Sequence, residues 1–501
     1  MKKYWCVFTC NKVWLKSAIN LYNSGIAEPV LWTGDDRNYF GAKKYFGDAA
    51  VRKKDLVFYP EELKRIKYSA RDYQFFISEN YSRAKDRCLK MMDRLDLYGS
   101  YSRLDRDVIF NKLVLWLLKK FEDTQPDAFI SSENPHSHSE YLMYEICSYK
   151  NVPTLKFNNW MPVPVLYAQN INTGNKLQIK KEIDPKISKI LDDYLIDFVE
   201  KLSSKKDEDT YILPVMKIQQ EQARLKNKIF KFLKVGFLMQ IKEYCFQFRK
   251  YFSKTYYPIN PYKFGYFSRL RIRRMREKRL LNSFRKSFVN KDLEDKFVFY
   301  ALHFEPERTT TPDGNQFHDQ IIALTFLRAF VPQSYKIYVK EHPSQFLVAD
   351  RGSRGRSPLY YDVIQNISNL FVVNPEIKTE QYIRKSQFVA TISGSAGFEA
   401  SIMGKKALIF GDTWYNGCPN TFQWNEKIDF DKFINSKMSS PNEIIKFLIS
   451  QKNLFTFPGL QNYSASLRFK QFLDDNIDRE IFESEQLKGV EHIMKEFLKN
   501  C

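Results

Sequence analysis

The stretch Gln387-Phe388-Val389-Ala390-Thr391-Ile392-Ser393-Gly394-Ser395-Ala396-Gly397-Phe398-Glu399-Ala400 reads as a buried β-strand over Gln387–Ile392, a turn of small residues, and a helix start over Ala396–Met403. A strand that hands over to a helix through so tight a turn belongs to a parallel sheet covered by helices. The residues on either side extend the same alternation. Lys296–Leu302, Tyr335–Lys340, Leu370–Val373 and Ala407–Phe410 are short runs rich in Val, Ile, Phe and Tyr. Between them, Asp319–Phe330 and Lys378–Lys385 have helical period. The expected result is an α/β, doubly wound sheet.

A second, earlier series has the same form. Tyr4–Thr9, Glu28–Trp32, Asp127–Ser131 and Val152–Phe157 read as strands. Val13–Asn23 (closed by Gly25), the charged region 60–120 and Glu140–Tyr149 read as helices. A chain of 501 residues is too long for one ordinary domain. The expected organisation is an N-terminal domain over 1–215, a basic segment over 216–290, a second α/β domain over 291–475 and a C-terminal helix over 476–501.

Composition narrows the class. The hydrophobic share of 44% and charged share of 27% are those of a globular chain, which excludes fibrous and disordered types. Seven irregularly spaced cysteines with no C-x-x-C form neither a disulfide framework nor a zinc site. Reduced thiols, no signal peptide and no run of about 18 apolar residues are expected of a protein inside the cell. The net charge of +21 is concentrated: Met216–Val289 holds 20 Lys or Arg against 3 Glu, interleaved with Phe230, Phe232, Phe237, Phe246, Phe248 and Phe252. A basic amphipathic segment of this kind is suited to an anionic membrane surface, and no RNA-binding module accompanies it, so membrane rather than nucleic acid is the expected partner.

Ligands of such sheets bind beyond the carboxyl ends of the strands. Four polar clusters follow strands: Ser131–His138, His303–Thr310, Glu341–Gln345 and Ser393–Gly397; they contain four of the six histidines. The turn at Ser393, Gly394, Ser395 and Gly397 offers backbone N–H groups and the positive end of a helix to an anion, with two hydroxyls besides. Glu399, in the first helical turn, is placed to accept from ribose hydroxyls. Pro343 ends a strand expected to neighbour that of the Ser393 turn and presents His342 at the sheet edge, where imidazole can donate to a phosphate and stabilise a leaving nucleotide; Lys340 and Glu341 are expected to pair in support. His303, Glu305, Glu307, Arg308 and Thr309 are candidates for holding substrate hydroxyls. Glu133 and His136 are candidates for the general base that transfer to a hydroxyl requires.

Lys340-Glu341-His342-Pro343, then Thr391 to Ala400, Gly404-Lys405-Lys406 and Phe410-Gly411-Asp412-Thr413-Trp414-Tyr415 resemble the bacterial capsule and surface-polysaccharide glycosyltransferases. The resemblance covers about 295–420 and, more weakly, 125–160. It implies a GT-B fold of two Rossmann-like domains facing across a cleft, akin to the Kdo and sialic-acid-type transferases that use CMP-sugars. It further implies that His342 contacts the CMP phosphate, that Ser393 and Ser395 bind that phosphate from the helix start, and that Glu399 lies near the ribose. No metal ion or other cofactor is implied. The donor would be a CMP-sugar carrying Kdo, sialic or another nonulosonic acid. The acceptor would be a lipid-linked or oligosaccharide surface glycan, and the place of action the inner face of the cell membrane. The other functions weighed are a UDP-sugar 2-epimerase-like isomerase, a CDP-polyol phosphotransferase of the teichoic-acid type, and a non-catalytic glycan- or lipid-binding protein.

Overall fold

The computed structural model describes residues 1–8, 11–56, 63, 66–67, 73–96, 101–179, 183–204, 245, 266–346 and 352–501. They form two compact units, each an α/β sheet with its own core.

Unit 1 comprises residues 1–92, 103–198 and 445–501. Its seven strands are β1 (Lys2–Phe8), β2 (Ala27–Gly34), β3 (Ala50–Arg52), β4 (Ala128–Ser131), β5 (Thr154–Trp160), β6 (Val165–Asn170) and a late one, Thr456–Pro458, which we label β13. They lie in the order β13-β6-β5-β4-β1-β2-β3. Pairing is parallel from β3 to β5 and antiparallel at β6 and β13. Tyr4 to Phe8 are buried without alternation, as a strand covered on both faces requires.

Unit 2 comprises residues 93–102 and 199–444. Its strands are β7 (Phe297–Ala301), β8 (Lys336–Lys340), β9 (Leu370–Val372), β10 (Phe388–Thr391), β11 (Lys406–Ile409) and β12 (Thr421–Gln423). The order is β12-β11-β10-β7-β8-β9, parallel throughout. With each unit's first strand counted as one, both sheets run 3-2-1-4-5-6, the order of the dinucleotide-binding fold, and the order reverses between β1 and β4 and between β7 and β10. The expected doubly wound α/β class is therefore present twice.

The C-terminal boundary differs from expectation. Residues 445–501, assigned from sequence to the second domain and a separate C-terminal helix, belong to unit 1. The reason is packing: β13 pairs with β6, and the helix Arg479–Lys499 buries Val490, Ile493, Met494, Phe497 and Leu498 in the same core as Trp14 and Leu21. The basic segment expected over 216–290 lies largely outside the described residues. Its described part is one helix, Tyr266–Ser287, which buries Leu280, Phe284 and Ser287 against unit 2 and stacks Phe284 on Phe346 at 4.7 Å. Among the described residues no helix is long and apolar enough to cross a membrane.

Candidate active site at the strand ends

Register places the unit 2 residues. Ala301 of β7 is level with Lys340 of β8, and Tyr300 with Ala390 of β10. Counting two residues beyond each strand, His303, His342 and Ser393 emerge at one level on three adjacent strands. His303 is in the middle, at the point where strand order reverses. The sequence reading put His342 and the Ser393 turn on neighbouring strand tips. Instead β7 lies between them, so their strands are two spacings apart, roughly 10 Å, and His303 fills the gap.

His303 is buried and hydrogen-bonded through its backbone and one ring nitrogen. Its backbone N–H donates to Gln320 Oε1 (2.8 Å), and its carbonyl accepts from Gln320 Nε2 (3.2 Å) and Arg356 Nη2 (2.8 Å). Its Nε2 accepts from the Ser393 backbone N–H at 3.1 Å, which leaves the ring proton on Nδ1. Burial, then the nearness of His342 and Arg356, push its pKa down to about 3. The ring is therefore neutral and joins β7 to the β10 turn.

His342 is half-buried, with its Nδ1 accepting from the Ser344 N–H (3.1 Å), so that Pro343 starts a short 3₁₀ turn capped by the imidazole. The proton must then sit on Nε2, which becomes the donor. Burial lowers its pKa to about 4; Glu341 opposes that, and Arg356 and Lys340 add to it. A neutral Nε2–H donor is thus available throughout the physiological range.

Glu341 does not pair with Lys340 as expected. It accepts from Arg356 Nε (3.1 Å), Tyr361 Oη (2.7 Å) and the His342 N–H (2.8 Å), in an ion pair whose two side chains are each 1% exposed. Lys340 Nζ instead donates to Ile377 O and Thr379 Oγ1 (3.1 Å), and burial lowers its pKa to about 8. The guanidinium of Arg356 therefore braces both histidines, His303 through its carbonyl and His342 through Glu341.

At the β10 turn the expected donors are partly committed. Ser393 Oγ donates to Thr309 O (2.6 Å) and Ser395 Oγ to Glu399 Oε1 (2.8 Å). What remains for an anion is the pair of amides of Ser395 and Ala396, at helical positions that have no intrahelical acceptor. The glycines have packing roles. A Cβ on Gly394 would lie 2.8 Å from Thr391 Oγ1 and 3.3 Å from His303 Nε2, and one on Gly397 would meet Ile409 Cδ1 and Tyr415 Oη at 2.6 Å each. Glu399 is buried, and its pKa rises to about 7, chiefly through that burial; the Ser395 hydroxyl opposes this and Glu380 adds to it.

The remaining candidates separate. Glu305 is buried, bonded through its backbone to both ends of the Gln345 amide (2.9 and 3.0 Å) and through Oε1 to Gln320 Nε2 (3.2 Å). Glu307 is exposed. Arg308 Nε lies 3.6 Å from Asp313, and Thr309 supplies the carbonyl that holds Ser393. In unit 1, Glu133 is buried, with Asn462 Nδ2 at 3.3 Å and His136 Nδ1 at 3.8 Å; the same His136 nitrogen lies 3.1 Å from Asn134 O. Beside them Lys53 forms a 2.5 Å ion pair with Glu140. Burial opposes ionisation of Glu140, yet Lys53 and then His136 hold its pKa down at about 2. Arg356, Tyr361, Gln320, Gln345 and Lys53 carry no local sequence signal; each reaches its partner over 15 to 87 positions of chain.

Residues 203–440 match the family model described as capsule polysaccharide biosynthesis protein. This stretch belongs to that capsule biosynthesis family. All four elements that carry the sequence resemblance, Lys340–Pro343, Thr391–Ala400, Gly404–Lys406 and Phe410–Tyr415, lie inside it. No curated protein matches. Among solved structures, KpsC β-Kdo 2,4 transferase of Thermosulfurimonas dismutans is 14% identical over 64% of this chain and 78% of its own, with a TM-score of 0.27. The β-Kdo 2,7 transferase of that KpsC is 12% identical over 77% and 90%, TM-score 0.28. The UDP-GlcNAc 2-epimerase of Methanocaldococcus jannaschii is 9% identical over 94% and 99%, TM-score 0.21. Likeness at that level decides nothing about substrate.

Proposed function

We propose that the chain is a glycosyltransferase of capsule polysaccharide synthesis. It moves a sugar, of the Kdo, sialic or another nonulosonic acid class, from a CMP-sugar to a growing surface glycan. The observation that carries this reading is the level row of His303, His342 and Ser393 at the strand-order reversal of unit 2. It presents a neutral imidazole N–H, two helix-end amides and a carboxylate at the edge where parallel sheets of this order take nucleotides. When the glycosidic bond to the phosphate breaks, charge grows on the phosphate oxygens. His342 Nε2–H and the amides of Ser395 and Ala396 are fixed donors for it, requiring no reorganisation as the bond breaks. Incubation with CMP-Kdo or CMP-sialic acid and a capsule oligosaccharide should release CMP in proportion to enzyme; turnover of UDP-sugars alone would overturn the donor assignment.

Glu399 gives this reading a pH signature. Its folded-state pKa of about 7 lies above the ordinary 4.5, so the folded protein holds this proton more tightly than the unfolded chain. The associated stability is complete below pH 4.5 and is lost as pH rises through 7. Above pH 8 the Glu399→Gln variant should be the more stable protein, by on the order of 3 kcal/mol, in urea melts at several pH values. Ribose hydroxyls bond best to the ionised carboxylate, so the ratio of wild-type to variant CMP affinity should rise from pH 6 to pH 8.

The reading also includes the membrane. The helix Tyr266–Ser287 exposes Arg271, Arg274, Arg276, Lys278 and Arg279 together with Ile272 and Met275, 50% and 63% exposed. Each cation near an anionic surface contributes about 1 kcal/mol. Changing the five to Gln should lower partitioning onto vesicles containing phosphatidylglycerol at least tenfold in a sedimentation assay; unchanged partitioning would exclude this helix as the contact.

A further inference from the structure

Unit 2 carries a second concavity, of about 650 Å³, at the β12 end of its sheet. That volume is within the roughly 300–1,000 Å³ of small-ligand sites. Its wall is aromatic and aliphatic. Trp424 follows β12 directly; its backbone N–H donates to Ile409 O at 2.7 Å, and its ring stacks on Phe410 at 5.2 Å and 28° and meets Phe330 edge-on at 5.3 Å. That ring is therefore fixed in place. Ile322 and Phe326, one turn apart on the helix Gln320–Phe330, face the same concavity and are each 42% exposed, an unusual exposure for two such neighbours.

The rim is polar and of mixed sign. Gln316, Glu426 and Lys427 line it, and among the described residues none of these side chains has a hydrogen-bond or ion-pair partner, nor has the Trp424 indole N–H. The ring thus offers an amide, a carboxylate, an ammonium and an indole donor around an aromatic wall. A phosphate would meet the Glu426 carboxylate, and a purely apolar partner would strand the whole rim. A pyranose fits both parts: its C–H face lies against an aromatic ring while its hydroxyls both donate and accept.

We propose that this concavity is a saccharide-binding site that holds a sugar residue of a glycan chain, separate from the nucleotide site at His342. It follows the carboxyl end of β12, two strand spacings from β10. The proposal goes beyond the transfer reading and does not depend on it.

The test uses the full chain and three defined probes: hexamers of β-linked N-acetylglucosamine, of α-linked glucose and of α2,8-linked sialic acid. Binding is read by saturation-transfer NMR and calorimetry. The comparison protein is the triple variant Gln316→Ala, Glu426→Ala, Lys427→Ala, whose positions are exposed and outside the His342 site, with its melting temperature measured alongside. The expected result is binding of at least one hexamer by the wild type, weakened tenfold or more in the triple variant, with CMP neither competing nor losing affinity. Absence of binding for all three probes, equal binding by the variant, or displacement of the hexamer by CMP would each overturn the proposal.

Discussion

Replacing His342 with Asn should lower kcat/KM for sugar transfer by about 100- to 1,000-fold, the usual consequence of removing one fixed donor from a developing oxyanion. Asn is chosen because its side-chain oxygen can take over the acceptor role that Nδ1 plays toward the Ser344 N–H at 3.1 Å, so the turn after β8 survives. Only the Nε2–H donor is lost. Steady-state CMP release measures the effect, and the loss should appear mainly in kcat, because charge on the phosphate is greatest in the transition state. The pH profile is part of the same expectation. His342 titrates near 4 and His303 near 3, both below the ordinary 6.5, so the folded protein binds these protons less tightly than the unfolded chain. Their contribution to stability is complete above pH 6.5 and is lost as pH falls through 4 and then 3. Neither of these two histidines should therefore add an inflection to the activity profile between pH 6 and 8, where the inflection expected is that of Glu399, and acid should inactivate by unfolding.

The second large effect is on stability. Arg356→Ala leaves Glu341 buried without its counter-charge and removes the donor to His303 O. Breaking a buried ion pair from one side costs about 3–5 kcal/mol, most of it the stranded charge. Urea unfolding followed by circular dichroism should show a loss of that size. The double change Arg356→Met with Glu341→Leu should recover much of it, because neither charge is then left alone. Recovery of stability should not restore transfer, since the two histidines lose their common brace. A double variant that recovered both would show that Arg356 stabilises the fold without positioning the site.

Much of the fold was legible because its strands are short, buried and bounded by turns. Expected strands such as Tyr335–Lys340 and Gln387–Ile392 appear as Lys336–Lys340 and Phe388–Thr391. What escaped was non-local. Thr456–Pro458 is only three residues long and is a strand because β6 offers it an edge. Nothing local in Arg354-Gly355-Arg356 announces that the last of these will be buried against Glu341. Gly394 and Gly397 read as part of an anion-binding turn, and nothing local shows that a Cβ on them would also meet His303 and Thr391, or Ile409 and Tyr415. That the clusters at His303, His342 and Ser393 follow strands was legible; the order of those strand ends depends on crossover connections that no single segment encodes. That is why His303, read as one of several substrate-loop residues, stands between the two elements first thought adjacent.

The claim that a nucleotide phosphate is gripped at these strand ends is tested most directly by calorimetric titration of CMP into the wild-type protein and the His342→Asn variant. The account predicts saturable binding to the wild type and at least tenfold weaker binding to the variant at the same pH. Equal affinity in the two proteins, or no binding to either, would contradict it.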